Sequence, residues 1–262
     1  MPVTRFPMPI YQADLHIHTV LSPCAEVEMI PPLIVAKALE VGLDIIGITD
    51  HNSAENVESV TRAAEGTALR VLPGMECESV EGIHIVCLFD TIEETMAMQE
   101  TISKALPNLP NRPETFGPQF VVDAEGEFVR YNERLLLAPC SLTVDDIADR
   151  VEELHGLCYP AHVDRPSYGI YGVLGFLPPT PIFPILELSH HTSPDKARID
   201  YPDIGNRILI QSSDAHRLDE VGSARCLLEL EHRRIASIKS LIENQSCREA
   251  NAPGNLHFQG NR

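Results

Sequence analysis

Asp14-Leu15-His16-Ile17-His18 is the stretch from which the architecture can be read. Polar and apolar residues alternate along it, and a period of two puts both imidazoles on one face of a strand with Ile17 on the other. The strand containing it spans Ala13–His18, and six further runs have a related character. They are Asp44–Asp50, Arg70–Glu76, Ile83–Phe89, Leu157–His162, Ile185–Ser189 and Arg207–Asp214, each short, β-branched-rich and cut off by polar residues, Gly or Pro. Helix-like segments separate most of them. Pro31-Pro32 opens the first, with Ile34, Ala38 and Val41 on one face and Gly42 at its exit. Thr143 caps another, with Asp146 three residues on and Val144, Ile147, Val151 and Leu154 as the apolar stripe. Strand, helix, strand, repeated, predicts an α/β fold with a parallel sheet. Seven strands predict a distorted, TIM-like (β/α) barrel in place of two half-sized sheets.

One segment interrupts the alternation. Residues 107–139 begin Pro-rich, then give two apolar runs, from Gln119 to Val129, about an Asp123-Ala124-Glu125-Gly126 turn. This predicts an inserted hairpin, either a cap over one rim of the barrel or a surface decoration with no role. A single domain is expected over 10–250, followed by a disordered Gly/Asn/Pro-rich tail at 251–262.

The chain has 262 residues, with 20 Lys and Arg against 38 Asp and Glu, a net charge of −18. Such a balance argues against a protein that grips long nucleic acid, because that needs a cationic surface to displace counterions. It argues equally against docking on anionic membranes. No stretch reaches the roughly 20 apolar residues of a membrane helix, and the Pro-containing start, Met1 to Tyr11, does not read as a secretory signal. Seven cysteines without CxxC spacing predict reduced thiols and a cytoplasmic location.

Six of the eleven histidines, His16, His18, His51, His84, His162 and His216, fall within or beside the ends of predicted strands. Asp50, Glu76 and Asp214 share those ends. In a parallel barrel the strand C-termini share one rim, so ligands distant in sequence converge there. Imidazole and carboxylate together suit borderline divalent metals such as zinc, iron or manganese. Two to three such ions are expected, since the donors exceed the needs of one.

These residues resemble a known family. Asp14-Leu-His-Ile-His-Thr19, Gly47-Ile-Thr-Asp-His51, Pro73-Gly-Met-Glu76, Ala161-His162 and Ser213-Asp-Ala-His216 are similar, in matching order, to the motifs of the polymerase and histidinol phosphatase (PHP) family. The resemblance implies a seven-stranded barrel and a three-metal phosphoesterase centre. It implies His16, His18, Glu76 and Asp214 on a first metal, His51 and bridging Glu76 on a second, and His84, His162 and His216 on a third. Many relatives place Asp or His where Cys24 stands. A thiolate ligand there favours softer zinc or iron, whereas a buried thiol would be inert.

The expected chemistry is attack by a metal-activated hydroxide on a phosphate ester. Asp50 is expected to orient His51 or a metal water, and Asp14 to support the first strand, as outer partners. Arg165 and Arg217 are candidates for gripping phosphate oxygens. Expected substrates are small phosphomonoesters, nucleotides or short oligonucleotides, and not long duplexes. An amidohydrolase-like metal hydrolase and a non-catalytic metal-binding module are the alternatives. Aromatic residues are only 5% of the chain, so base-stacking platforms are scarce, although Tyr168, Tyr171 and Phe176 cluster in a Gly-rich stretch after His162.

Overall fold

The run Asp14–His18 lies in and just beyond the first strand of a computed structural model that describes residues 8–249. The expected tail at 251–262 lies outside the described residues. In chain order the elements are β1 (Ile10–Ile17), α1 (Pro31–Glu40), β2 (Ile45–Ile48), α2 (Val57–Ala63), β3 (Arg70–Glu78), β4 (His84–Leu88), α3 (Ile92–Ala105) and α4 (Pro113–Phe116). Then come β5 (Phe120–Val122), β6 (Phe128–Tyr131), α5 (Val144–Glu153), β7 (Leu157–Pro160), α6 (Ile170–Leu174) and β8 (Ile185–Leu188). The described residues end with α7 (Pro194–Asp200), β9 (Ile208–Gln211), β10 (Cys226–Glu229) and α8 (Ile235–Glu249). Prolines occupy the first turn of α1, and Thr143 and Asp146 form a reciprocal capping box on α5. No helix among the described residues is long and apolar enough to cross a membrane.

The fold is mixed α/β, built on a curled six-stranded sheet in the order β10-β1-β2-β3-β4-β7, with β8 and β9 as a separate parallel pair. A continuous seven-stranded ladder is therefore not formed. Single bonds link the pair to its neighbours: Val163 N donates to Glu187 O at 2.8 Å and His18 N to Ala215 O at 3.0 Å. Nor is the sheet all parallel. β1, β2 and β3 run parallel, but β4 is antiparallel to both β3 and β7. The five residues Ser79–Ile83 close a tight hairpin, far too short for the crossover that parallel strands need. The short run 226–229, not anticipated from sequence, adds antiparallel β10 to the free edge of β1.

Side-chain parity builds the interior. Ala13, Leu15, Ile45, Leu72, Val86, Leu88, Tyr159, Ile185 and Ile210 fill the inside of the curl, with Ile235, Ile238 and Ile242 of α8 against them. Ile46, Ile48, Val71, Met75, Cys77, Ile85, Cys87 and Leu186 face the helices. Each fully buried aliphatic side chain contributes about 1.5–3 kcal/mol. Two strand glycines permit the curvature: a Cβ on Gly47 would lie 2.4 Å from Leu15 O, and one on Gly74 2.4 Å from Cys87 O.

The excursion 107–139 is held chiefly by buried amides. β5 and β6 pair antiparallel. Asn56 Nδ2 donates to Thr19 Oγ1 (2.9 Å) and Phe120 O (3.0 Å), and its Oδ1 accepts from Val122 N. Gln119 ties Asn132, Arg134 and Leu136, and Asn52 ties Leu136, Ala138 and Glu78. The excursion thereby docks on the loop that follows His18.

Candidate metal centre

A polar layer sits above the apolar interior at one rim. Period two continues from Leu72 through Gly74 to Glu76 and Glu78 on β3, and from Leu88 back through Val86 to His84 on β4. Because β4 is antiparallel, its first residue reaches the rim that the last residues of β3 reach.

The β1 histidines need an extra step. Ala13 and Leu15 face inward, so simple alternation would send His16 and His18 outward. A register shift between Asp14 and Ile17 relative to β2 inserts one residue, turning Ile17 to the helices and both imidazoles inward. His162 and Asp214 are re-aimed by left-handed backbone, with φ of 31° and 51°.

Five imidazoles surround one buried carboxylate. Glu76 Oε1 lies 3.4, 2.9 and 3.2 Å from nitrogens of His16, His84 and His162. Its Oε2 lies 3.5 and 2.9 Å from His18 and His51. Asp214 Oδ1 stands 3.4 Å from His16 Nε2 and 3.2 Å from His18 Nε2. Three potential ligand triads emerge: His16, His18 and Asp214; His51, Glu76 and His84; and His18, His51 and His216. His216 thus groups with His18 and His51, not with His84 and His162 as the resemblance implied. The parallel bridge of Ile17 to Ala215 sets His216 beside His18, their rings stacked at 4.2 Å.

The hydrogen bonds behind the rings decide which nitrogens face inward. His16 Nδ1 lies 3.0 Å from Glu187 Oε1, and a carboxylate only accepts, so Nδ1 carries the hydrogen. Ser22 Oγ donates its one hydrogen to Asp50 Oδ1 at 2.6 Å, so it accepts from His51 N and from His18 Nδ1 at 2.9 Å. His216 Nδ1 donates to Asp214 O at 2.8 Å. In all three histidines Nε2 is left for the centre. The Nε2 atoms of His16 and His18 are 3.1 Å apart. Glu76 Oε2 and His84 Nδ1 are buried at the centre without a hydrogen-bond partner, whereas His162 turns Nε2 to Glu76 Oε1 at 3.2 Å and leaves its outer Nδ1 unpartnered. Converging lone pairs with fixed outer partners suit divalent cations.

Charge follows the same geometry. Burial pushes Glu76 up, yet His84, His16 and His51 hold it well below the usual carboxylate range. Burial likewise opposes the pull of His16 and His18 on Asp214, which ends well below its usual value. Burial, with His216 and His51 nearby, drives His18 well below the ordinary imidazole value. Against the same burial, Glu187, Glu76 and Asp214 raise His16 well above it. Exposed Cys24 is opposed by local desolvation, but the neighbouring His216 and His51 imidazoles bring its thiol down to about 6.

The outer residues differ from expectation. Asp50 makes no hydrogen bond to the His51 ring; its carboxylate accepts from Thr19 N, Thr19 Oγ1 and Ser22 Oγ, so it supports His18 through Ser22. Asp14 accepts from Ser213 N and Gly222 N, anchoring the chain around Asp214. Arg165 Nη1 is 2.6 Å from Asp214 Oδ2, at the centre's edge. Arg217 pairs with Asp219 and Glu220 instead. Of the aromatic trio, Tyr168 stacks on His84 at 4.4 Å, while Tyr171 is buried against Tyr201. Glu187 and Glu78 were missed from sequence. The signal was there: each is an acid at an inward position of a strand, beyond Ile185 and Glu76. Burial pushes Glu78 up to about 7, His51 pulling down and Glu76 pushing up.

A donor set of histidines and carboxylates gathered from separate strand ends is one that could hold divalent metal ions. The chain belongs to the PHP domain family, whose pattern it matches over residues 14–157. No curated protein matches its sequence. Among solved structures it is similar to the lesion-specific endonuclease Q of Pyrococcus furiosus, with TM-score 0.71 and 20% identity, over 90% of this chain and 56% of that one. An endonuclease Q in complex with a 27-mer duplex bearing an abasic lesion gives TM-score 0.67 and 21% identity over 90% and 57% of the two chains. A protein described as a metal-dependent phosphoesterase from Bifidobacterium adolescentis gives TM-score 0.52 and 16% identity, over 80% and 89%. At such identities the likeness is one of fold. The chain spans little more than half the length of the endonuclease Q proteins.

Proposed function

We propose that the protein is a metal-dependent hydrolase of phosphate esters, acting on a small phosphomonoester, a nucleotide or a short oligonucleotide. One observation carries the reading: buried Glu76 lies within 3.5 Å of five imidazoles. Two to three zinc, iron or manganese ions would be held among His16, His18, Glu76 and Asp214, among His51, Glu76 and His84, and at His216, with the one free nitrogen of His18 serving a single ion. Cys24 would add a thiolate beside His51 and His216, and His162 would reach the ion near Glu76 and His84. Such ions, when bound, lower the pKa of water and offset phosphoryl charge.

The chain's own residues do the rest. Arg165 touches Asp214 with one nitrogen, leaving other guanidinium donors for the non-bridging oxygens of a phosphoryl group. Arg217, neutralised by Asp219 and Glu220, is less suited to that task. Asp50, through Ser22, keeps the His18 ring in register. The excursion 107–139 serves as a cap, a role supported by its docking on the loop after His18. A net charge of −18 disfavours a long polyanion beyond about 8 Å from the ions, the Debye length at physiological salt.

The test is a screen of phosphate mono- and diesters with zinc-, iron- and manganese-loaded protein. Turnover that chelator abolishes and Asp214→Asn removes is the expected result. A folded, metal-loaded protein that hydrolyses none of them would instead be a binding module. Tight, steeply salt-dependent binding to long duplex DNA would overturn the substrate assignment alone.

A further inference from the structure

We infer that Glu187 is a positioning residue for the candidate metal centre, holding ligands from two different strands at once. The inference rests on the reading of His16 as a metal ligand.

Glu187 sits in the middle of β8, flanked by buried Leu186 and Leu188, and is itself 1% exposed. A carboxylate there is costly unless its oxygens are matched. Among the described residues its only ion-pair partner is His16, with no Lys or Arg beside it. Both oxygens face His16 Nδ1, at 3.0 and 3.3 Å. Oε1 also accepts from the backbone N of His162 at 3.4 Å, and the Glu187 carbonyl accepts from Val163 N at 2.8 Å. One residue thus fixes the ring of a β1 donor and the left-handed backbone that aims a β7 donor.

Two consequences follow for His16. An acceptor at Nδ1 keeps a hydrogen there, so Nε2, facing Glu76 and Asp214, is the nitrogen left to bind a cation. The contact also fixes the ring's rotation, which neighbouring donors only 3.1–3.4 Å from His16 Nε2 demand. Outer partners of this kind typically change metal affinity about 10–100-fold when removed.

The test compares full-length wild type with Glu187→Gln and Glu187→Leu. Zinc affinity is read by competition with a chelating dye, thermal midpoints are taken on the metal-free proteins, and side-chain 1H–15N spectra on the zinc-loaded ones. Zinc should bind Glu187→Leu about 10–100-fold more weakly, and Glu187→Gln, which keeps an acceptor, should fall between. Wild type should show a protonated Nδ1 at His16. The metal-free variants should melt lower than wild type, Glu187→Leu most, because His16 Nδ1 and the His162 N–H lose a buried acceptor. Unchanged affinity in both variants overturns the inference while leaving the centre intact. So does a fall in melting temperature with unchanged zinc affinity, which marks a merely structural role. Wild type that binds none of zinc, iron(II) and manganese overturns both this inference and the proposed function. Glu187→Gln keeps the test decisive if Glu187→Leu does not fold.

Discussion

Glu78 is the register partner of His84 across the β3–β4 hairpin. The reversal brings a strand's beginning and its neighbour's end to the same rim. That is how His84 Nδ1 comes within 2.9 Å of Glu76 Oε1. Glu76 therefore collects imidazoles from both sides: His51 from the β2 end, and His84 and His162 from the β4 and β7 side.

Replacing that carboxylate should disable the centre and spare the scaffold. Glu76→Gln and Asp214→Asn are each expected to lower phosphoesterase activity at least about 100-fold, the scale of removing one strong electrostatic contributor. Circular dichroism should show an unchanged fold, since neither side chain packs in the apolar interior. Metal content per chain, from elemental analysis, should fall with activity. Either variant turning over substrate at the wild-type rate contradicts the assignment.

Metal binding should release protons. His16 and His51 are both raised well above the ordinary imidazole value, so each carries an additional proton at neutral pH before a cation arrives. The cation must displace it, so apparent affinity should rise as pH increases through neutrality and fall on acidification. Calorimetric titration in two buffers of different ionisation enthalpy measures the protons directly. Identical enthalpies in both would refute the expected charge states.

Cys24 should be the most reactive thiol among the described residues. Its value of about 6 contrasts with Cys140, pushed up to about 11, and with Cys158 and Cys226, pushed up to about 12, by burial. Iodoacetamide at neutral pH is expected to modify Cys24 first, by peptide mapping, and zinc should protect it. Cys24→Ala should lower metal content and activity, and Cys24→Asp should restore activity with a preference for manganese. A harmless Ala and a harmful Asp would retire Cys24 as a ligand.

Asn56 should be a stability determinant without chemistry of its own. Asn56→Ala orphans the Val122 N–H and the Phe120 carbonyl in a buried setting, at a cost of about 1–3 kcal/mol. Urea unfolding should show that loss, while metal affinity changes little. An unchanged midpoint would mean that the excursion is held by other contacts.

Sequence by itself determined the α/β class, the strand segments and most of the centre's donors, because period two and the placement of polar residues at strand ends are local properties. It determined that His16 and His18 share a face. Which face was decided only by the register shift between Asp14 and Ile17, a pairing with β2 that neither strand dictates alone. The direction of β4, the grouping of His216 with His18, and the diversion of Arg217 to Glu220 are likewise products of chain packing. Glu187 is the clearest case. In sequence it is one acid in an apolar strand, and its partner His16 lies 171 positions away. Only the curl of the sheet, closing β8 towards β1, brings that acid to the ring of a candidate ligand.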